Sequence, residues 1–328
     1  MSSEPINVDT LTDVLRLLEQ FPQDIAEISK LVDKLPLDIF HYKATPCISL
    51  YRARYYENFD ITNPEEFSYI HSAKKIPLAR YNKKGVPALY TSTHYNYAYH
   101  EIEKSSQTGT DVFVSKWKPI QNKELSIACN LSRNGSEKSI VRKYYNILIS
   151  KFQGDVLTYF NRLGNLLEWP ADVNTPENQY NITSEMASRI LSSHDVLMTV
   201  STKADELNLT FNKDAADSKL KLESVFWAEA PSKHKNTISC VKKIGVPDAA
   251  NSNIIVWHDF EIDEDTLRCP DQPLYLARRL KTLYKNEGSE RFFICPIVKD
   301  IDDFHTGLYK DDDQSIRFEC KIKLSEIS

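Results

Sequence analysis

IPLARYNKKGVPALYTSTHYNYAYHE, residues 76–101, is the stretch on which the reading of this chain turns. It sets Arg80, Asn82, Tyr90 and Glu101 in an order that packing alone does not require. A Gly85-Val86-Pro87 turn follows the arginine, PALYTS (87–92) has the composition of a short strand, and 96–104 reads as an aromatic-rich helix presenting the glutamate. This combination predicts a cleft for a phosphate-bearing ligand with one carboxylate kept for chemistry.

Working outward from it, residues 9–35 predict two short helices. Asp9 or Thr10 is placed to cap the first, whose stripe is Leu11, Val14, Leu15 and Leu18. Pro22 restarts the chain, Ile25, Ile28, Leu31, Val32 and Leu35 continue at helical spacing, and Pro36 ends the second helix. From Cys47 the pattern changes to strands in CISLYRAR, PALYTS and DVFVSKW. Residues 137–164 read as helical, with Ile140, Tyr144, Ile147, Leu148 and Phe152 on one side. A further helix is expected over 184–193, capped by Thr183, and then a buried strand in DVLMTVS. Beyond residue 212 come strands in SVFWAEA, NIIVWHDF, RFFICPIV and IRFECKIKL, with one helix at 273–285. The expected organisation is a helical extension over 1–45, a core domain over 46–225 and a strand-rich region over 226–328. The class is α+β, with short strands and segregated helices.

Composition narrows the function. The chain has 328 residues, 41% hydrophobic and 27% charged, as in soluble globular proteins. A net charge of −5 supplies no basic field, so direct nucleic-acid binding is not expected. Eight glycines include neither GxGxxG nor GxxxxGK[ST], which argues against a Rossmann or P-loop nucleotide site. The six cysteines, at 47, 129, 240, 269, 295 and 320, form no CxxC pair and no zinc spacing, and read as core thiols of a reducing cytoplasm. MSSEPINVDT lacks a basic start and an apolar run, and no segment nears a membrane span. A soluble, cytoplasmic protein is expected, with no metal and no membrane partner.

Three blocks, LYRAR (50–54), ARYNKKGVPALYTS (79–92) and YAYHE (97–101), resemble the N-terminal half of the RES domain family. That family shows YR, then GR[WF]N-x-x-G-x-P-x-x-Y, then A-x-x-E. Residues 178–211, NQYNITSEMASRILSSHDVLMTVSTKADELNLTF, are similar to its downstream stretch containing DGIxYPS and NLAL, so the likeness spans roughly 48–225. What the resemblance implies is an ADP-ribosyltransferase-like core of short, mainly antiparallel strands. It also implies a bacterial toxin of a toxin–antitoxin pair that degrades NAD by phosphorolysis or hydrolysis. NAD would be substrate rather than cofactor, inorganic phosphate a co-substrate, and a cognate antitoxin the protein partner; a homo-oligomer is compatible with it.

Carried over by position, the resemblance assigns Arg52 to the YR arginine, Arg80 to that of GR[WF]N, Tyr90 to the strand tyrosine, Glu101 to the helix glutamate and Ser201 to the serine of YPS. Arg54 and Asn82 join the NAD-binding set. These residue types suit the chemistry. Cleavage of the nicotinamide–ribose bond passes through an oxocarbenium-like state that a carboxylate such as Glu101 stabilises. Arginines meet diphosphate oxygens with paired hydrogen bonds, as expected of Arg52 and Arg80. Tyr90 and Ser201 would fix the ribose for cleavage.

The chain also departs from the pattern. Ala79 replaces the glycine before the arginine, and DGIxYPS becomes Asp195-Val196-Leu197-Met198-Thr199-Val200-Ser201, without tyrosine or proline. Ser232 in EAPSK is a second serine candidate; Ser201 is preferred for its flanking segments. Two other functions stay open: ADP-ribosyl transfer to a macromolecule, and a catalytically silent binding module. His94 and His100 flank the helix, His234 and His258 show no partner pattern, and Asp311, Asp312 and Asp313 read as a solvated loop rather than a calcium site. Among Tyr95, Tyr97 and Tyr99, core packing accounts for some.

Overall fold

The computed structural model describes residues 8–20, 22–37, 41–44, 48–102, 110–129, 145–147, 150, 154–168, 177–201, 207–230, 241–259, 292–300, 303–310 and 319–322. The chain divides into two interleaved units. One comprises residues 1–46, 68–93 and 119–221, the other 47–67, 94–118 and 222–328. Helices and strands are mixed in the chain, and among the described residues every strand pair with a defined register but one is antiparallel.

The first unit places β1 (His41–Ala44), β5 (Leu125–Cys129), β6 (Val196–Val200), β7 (Leu207–Asn212) and β3 (Ala88–Ser92) side by side in that order. Among the described residues only β5 and β6 run parallel. Helices α1 (Val8–Leu18), α2 (Ile25–Val32), α4 (Gly154–Leu167) and α5 (Glu177–Ser193) supply its core. Leu11, Val14, Leu15 and Leu18 are all buried, as their spacing predicts, and cluster with Tyr159, Leu163 and Leu167 of α4 and with Met186 and Ile190 of α5. Asp24 caps α2 by accepting the Ala26 N–H at 2.8 Å. Ile25, in the first turn, is exposed instead of joining the stripe. The helix expected to start behind Thr183 starts earlier, at Glu177. Thr183 lies inside it and its hydroxyl donates to the Gln179 carbonyl at 3.2 Å, so it is not a cap. The short α6 (Lys213–Lys219) is capped by Asn212, whose Oδ1 accepts from the Ala215 N–H at 2.8 Å.

The second unit orders β2 (Leu50–Tyr55), β4 (Asp111–Pro119), β8 (Leu220–Glu229), β9 (Val241–Pro247) and β10 (Ile255–Asp259). Helix α3 (Tyr95–Ile102) packs Tyr95, Ala98 and Tyr99 against Tyr51, Ala53 and Tyr55 of β2. The opposite face carries Phe67, Phe113, Val225 and Ile255, joined by Phe59, Trp227 and Trp257. Gly245 of β9 is required by that packing, since a Cβ there would meet Ile255 Cγ2 at 2.6 Å. Strands β11 (Phe292–Asp300), β12 (Asp303–Lys310) and β13 (Glu319–Ile322) form a separate antiparallel sheet. The expected helix at 273–285, Ser232, His234, Asp311–Asp313 and most of the first half of the helix expected over 137–164 lie outside the described residues. Among the described residues no helix is long and apolar enough to cross a membrane.

Candidate functional site

The arginine of the 76–101 stretch sits on a tight turn. Ala79 N–H donates to the Asn82 carbonyl at 3.1 Å and Asn82 N–H returns to the Ala79 carbonyl at 3.4 Å, so Arg80 and Tyr81 form its tip. Asn82 is buried and fully employed. Its amide nitrogen donates to the Pro77 carbonyl at 2.9 Å and the Lys83 carbonyl at 3.1 Å, and its oxygen accepts the Tyr90 hydroxyl at 2.7 Å. The Tyr90 oxygen in turn accepts the Tyr81 N–H at 2.9 Å. Burial pushes the Tyr90 phenol above its ordinary range, so it stays protonated and keeps donating. The contacts of Asn82 and Tyr90 described here serve to hold Arg80 in place. The next turn needs Gly85, whose φ of +81° suits glycine and whose N–H donates to the Ile76 carbonyl at 3.2 Å.

The stretch that carries this turn is rich in cations. No Asp or Glu occurs from residue 67 to residue 100, whereas Lys74, Lys75, Arg80, Lys83 and Lys84 all do. Lys83 is committed to Glu185, at 2.5 Å. Arg80 is half-buried, its guanidinium 5.9 Å from the centre of the Tyr81 ring.

Register places Ser201 with this group. Thr199 pairs with Asn208, Leu197 with Thr210, and Tyr90 with Thr210, so Leu197, Thr199 and Tyr90 share one sheet face. Two-residue alternation puts Ser201, directly after β6 and 1% exposed, on the same face. A carboxylate absent from the expected set lies beside it. Glu168, just past α4 and 8% exposed, accepts the Val200 N–H at 3.1 Å. The Tyr81 phenol, its pKa raised chiefly by burial, faces Thr199 and feels the charges of Arg80 and Glu168. The sequence offered one cue to Glu168, a lone acid closing the apolar run LGNLLEW.

In the second unit Arg52 and Arg54 leave the same face of β2, opposite Ser115 and Phe113 of β4. Arg54 is satisfied by the protein. Its Nη1 donates to the Glu66 carbonyl and lies 3.1 Å from Glu66 Oε2, and its guanidinium covers the Phe59 ring at 3.8 Å. Arg52 is not: its Nη1 is buried and meets no acceptor among the described residues. Burial, then the neighbouring Arg54 charge, lowers its pKa to about 10.

Glu101 is half-buried on α3. At helical spacing His94, Tyr97 and Glu101 form one strip. His94 stacks on Tyr95 with ring centres 4.6 Å apart, lies 5.1 Å from the Tyr97 ring, and accepts the Asn96 N–H on Nδ1 at 3.3 Å. Burial, reinforced by His100, lowers its pKa to about 4, so it is neutral at pH 7. Helix α3 packs on the Tyr51-Ala53-Tyr55 face of β2, so the helix bearing Glu101 and the side chain of Arg52 belong to opposite faces of that strand.

No family model matches the sequence, and no curated protein matches it. A solved structure, described as the crystal structure of the M. tuberculosis MbcT-MbcA toxin-antitoxin complex, aligns with 62% of this chain and 92% of that chain at 10% identity and a TM-score of 0.36. At that score the likeness establishes neither fold nor function.

Proposed function

We propose that this chain binds NAD and cleaves its nicotinamide–ribose bond, by phosphorolysis or hydrolysis, on an ADP-ribosyltransferase-like scaffold. The observation that carries the reading is Arg52. A buried guanidinium nitrogen without an acceptor is costly, whereas a diphosphate oxygen would satisfy it. Arg80, held on its turn in an acid-free stretch, supplies a second anion contact. Tyr90 orders that turn; the roles of Ser201 at the ribose and of Glu101 toward the positive charge that develops as nicotinamide leaves are those the family resemblance implies. Arg54, already bound to Glu66, contributes charge rather than a free fork. In the phosphorolytic case a phosphate oxygen bonds to the ribose carbon as its bond to nicotinamide breaks, giving nicotinamide and a phosphorylated ADP-ribose; water in that place gives ADP-ribose. Such activity is toxic to a cell, so a cognate antitoxin is the proposed protein partner.

The test is incubation of purified protein with NAD, with and without inorganic phosphate, followed by product identification. Nicotinamide release that Glu101→Gln abolishes is the expected result, and NAD left intact in both conditions sinks the reading. A second reading, NAD binding without cleavage, is favoured by the placement of Arg52 and the Glu101 helix on opposite faces of β2. It requires an NAD-dependent rise in melting temperature with no product.

A further inference from the structure

We propose that Glu168 is a positioning residue for Ser201, acting through the backbone of Val200; this rests on the reading of Ser201 as part of the NAD site. Strands β5 and β6 stay in register as far as Cys129 and Met198. The N–H two residues further along, that of Val200, goes instead to Glu168 Oε1 at 3.1 Å. Donor and acceptor are both enclosed, Val200 at 1% and Glu168 at 8% exposure.

A carboxylate is poorly placed there for stability alone. It follows the C-terminal end of α4, where the helix dipole is negative, and its desolvation is unfavourable. What it achieves is local. It fixes the peptide immediately before Ser201, and its charge also reaches the Tyr81 phenol, next to Arg80. The sequence accounts for why an acceptor is needed. The pattern that this segment resembles has proline before the serine, and proline carries no N–H. Valine at 200 brings a buried donor, and Glu168 answers it.

The test measures NAD turnover and KM for wild type, E168Q, E168L, V200P and the double variant E168L/V200P, at a temperature where each is fully folded. E168Q keeps an oxygen for the Val200 N–H, so kcat and KM should stay within about twofold of wild type. E168L orphans the N–H and should lower kcat/KM by roughly tenfold or more, with KM changed as well as kcat. A purely structural role would leave KM alone. V200P removes the N–H itself, so the double variant E168L/V200P leaves no Val200 N–H in want of an acceptor and should recover part of what E168L loses. Wild-type kinetics in E168L, or a double variant no better than E168L, would overturn the proposal. If wild type turns over no NAD, the NAD reading falls separately. The positioning claim is then decided by hydrogen exchange at the Val200 amide: protection lost in E168L and kept in E168Q supports it, and protection kept in E168L overturns it.

Discussion

The Tyr90 hydroxyl donates to Asn82 Oδ1 at 2.7 Å while its oxygen accepts the Tyr81 N–H at 2.9 Å. One strand side chain thus fixes both the residue that closes the 79–82 turn and the peptide next to Arg80. The tyrosine acts on the arginine through the turn, whether or not it also touches a ligand.

Tyr90→Phe tests this. Losing that hydroxyl strips a buried amide oxygen and a buried N–H of their partner, a cost of roughly 1–3 kcal/mol. The expected result is a lower urea midpoint together with weaker NAD binding, because Arg80 loses its fixed position. Asn82→Ala should resemble it in both respects. A variant that melts like wild type but no longer binds would assign Tyr90 directly to the ligand instead.

Arg52 predicts the opposite separation of stability from binding. Replacing it by Met removes a buried donor without an acceptor, so stability should hold or rise by about 1 kcal/mol. The same change should erase the stabilisation by NAD, which for wild type reaches about 2.7 kcal/mol at a concentration 100 times Kd. Thermal melts with and without NAD read both quantities. A destabilised R52M that still responds to NAD would make Arg52 a packing residue.

What the sequence made legible depended on whether the signal was local. The α1 stripe and the fully buried β6 followed from periodicity and from the apolar run VLMTV, and both have the burial expected of them. β1 (HYKA) and β9 (VKKIGVP) were not found, because so short or so mixed a segment becomes a strand only through its neighbours. Thr183 looked like a cap and turned out to lie within a helix, since nothing local reveals that the helix begins six residues earlier. For the site, Arg80, Asn82 and Tyr90 were legible as a motif. The unpaired Arg52 nitrogen and the Glu168–Val200 contact depend on register and on tertiary packing, which one sequence does not display.

His94 gives the fold a dependence on acid. Its pKa is lowered from 6.5 to about 4, first by burial and then by His100. Between those values the unfolded chain binds a proton that the native state refuses, so stability declines as pH falls from about 6.5 to about 4. Residual solvent access limits the loss to roughly 2 kcal/mol. His94→Asn keeps an acceptor for the Asn96 N–H and removes the titration. Urea midpoints at pH 7 and pH 4.5 should therefore differ less for the variant than for wild type; equal differences would locate the acid sensitivity elsewhere.

The ion pairs of Glu223 should be unequal in strength. Lys116 Nζ and Lys118 Nζ each lie 2.6 Å from its carboxylate, yet the Lys116 side chain is 2% exposed and that of Lys118 28%. Removing Lys116 leaves a largely enclosed carboxylate with only its more solvated partner. Lys116→Met should therefore cost roughly 3 kcal/mol, against about 1 kcal/mol or less for Lys118→Met. The double variant Lys116→Met/Glu223→Gln should regain part of the loss, because no charge is then stranded beside the Tyr51 phenol, whose pKa is raised chiefly by burial and to a lesser degree by Glu223. Urea unfolding of the three variants decides it: comparable losses for K116M and K118M would mean that the solvent reaching Glu223 screens both pairs alike.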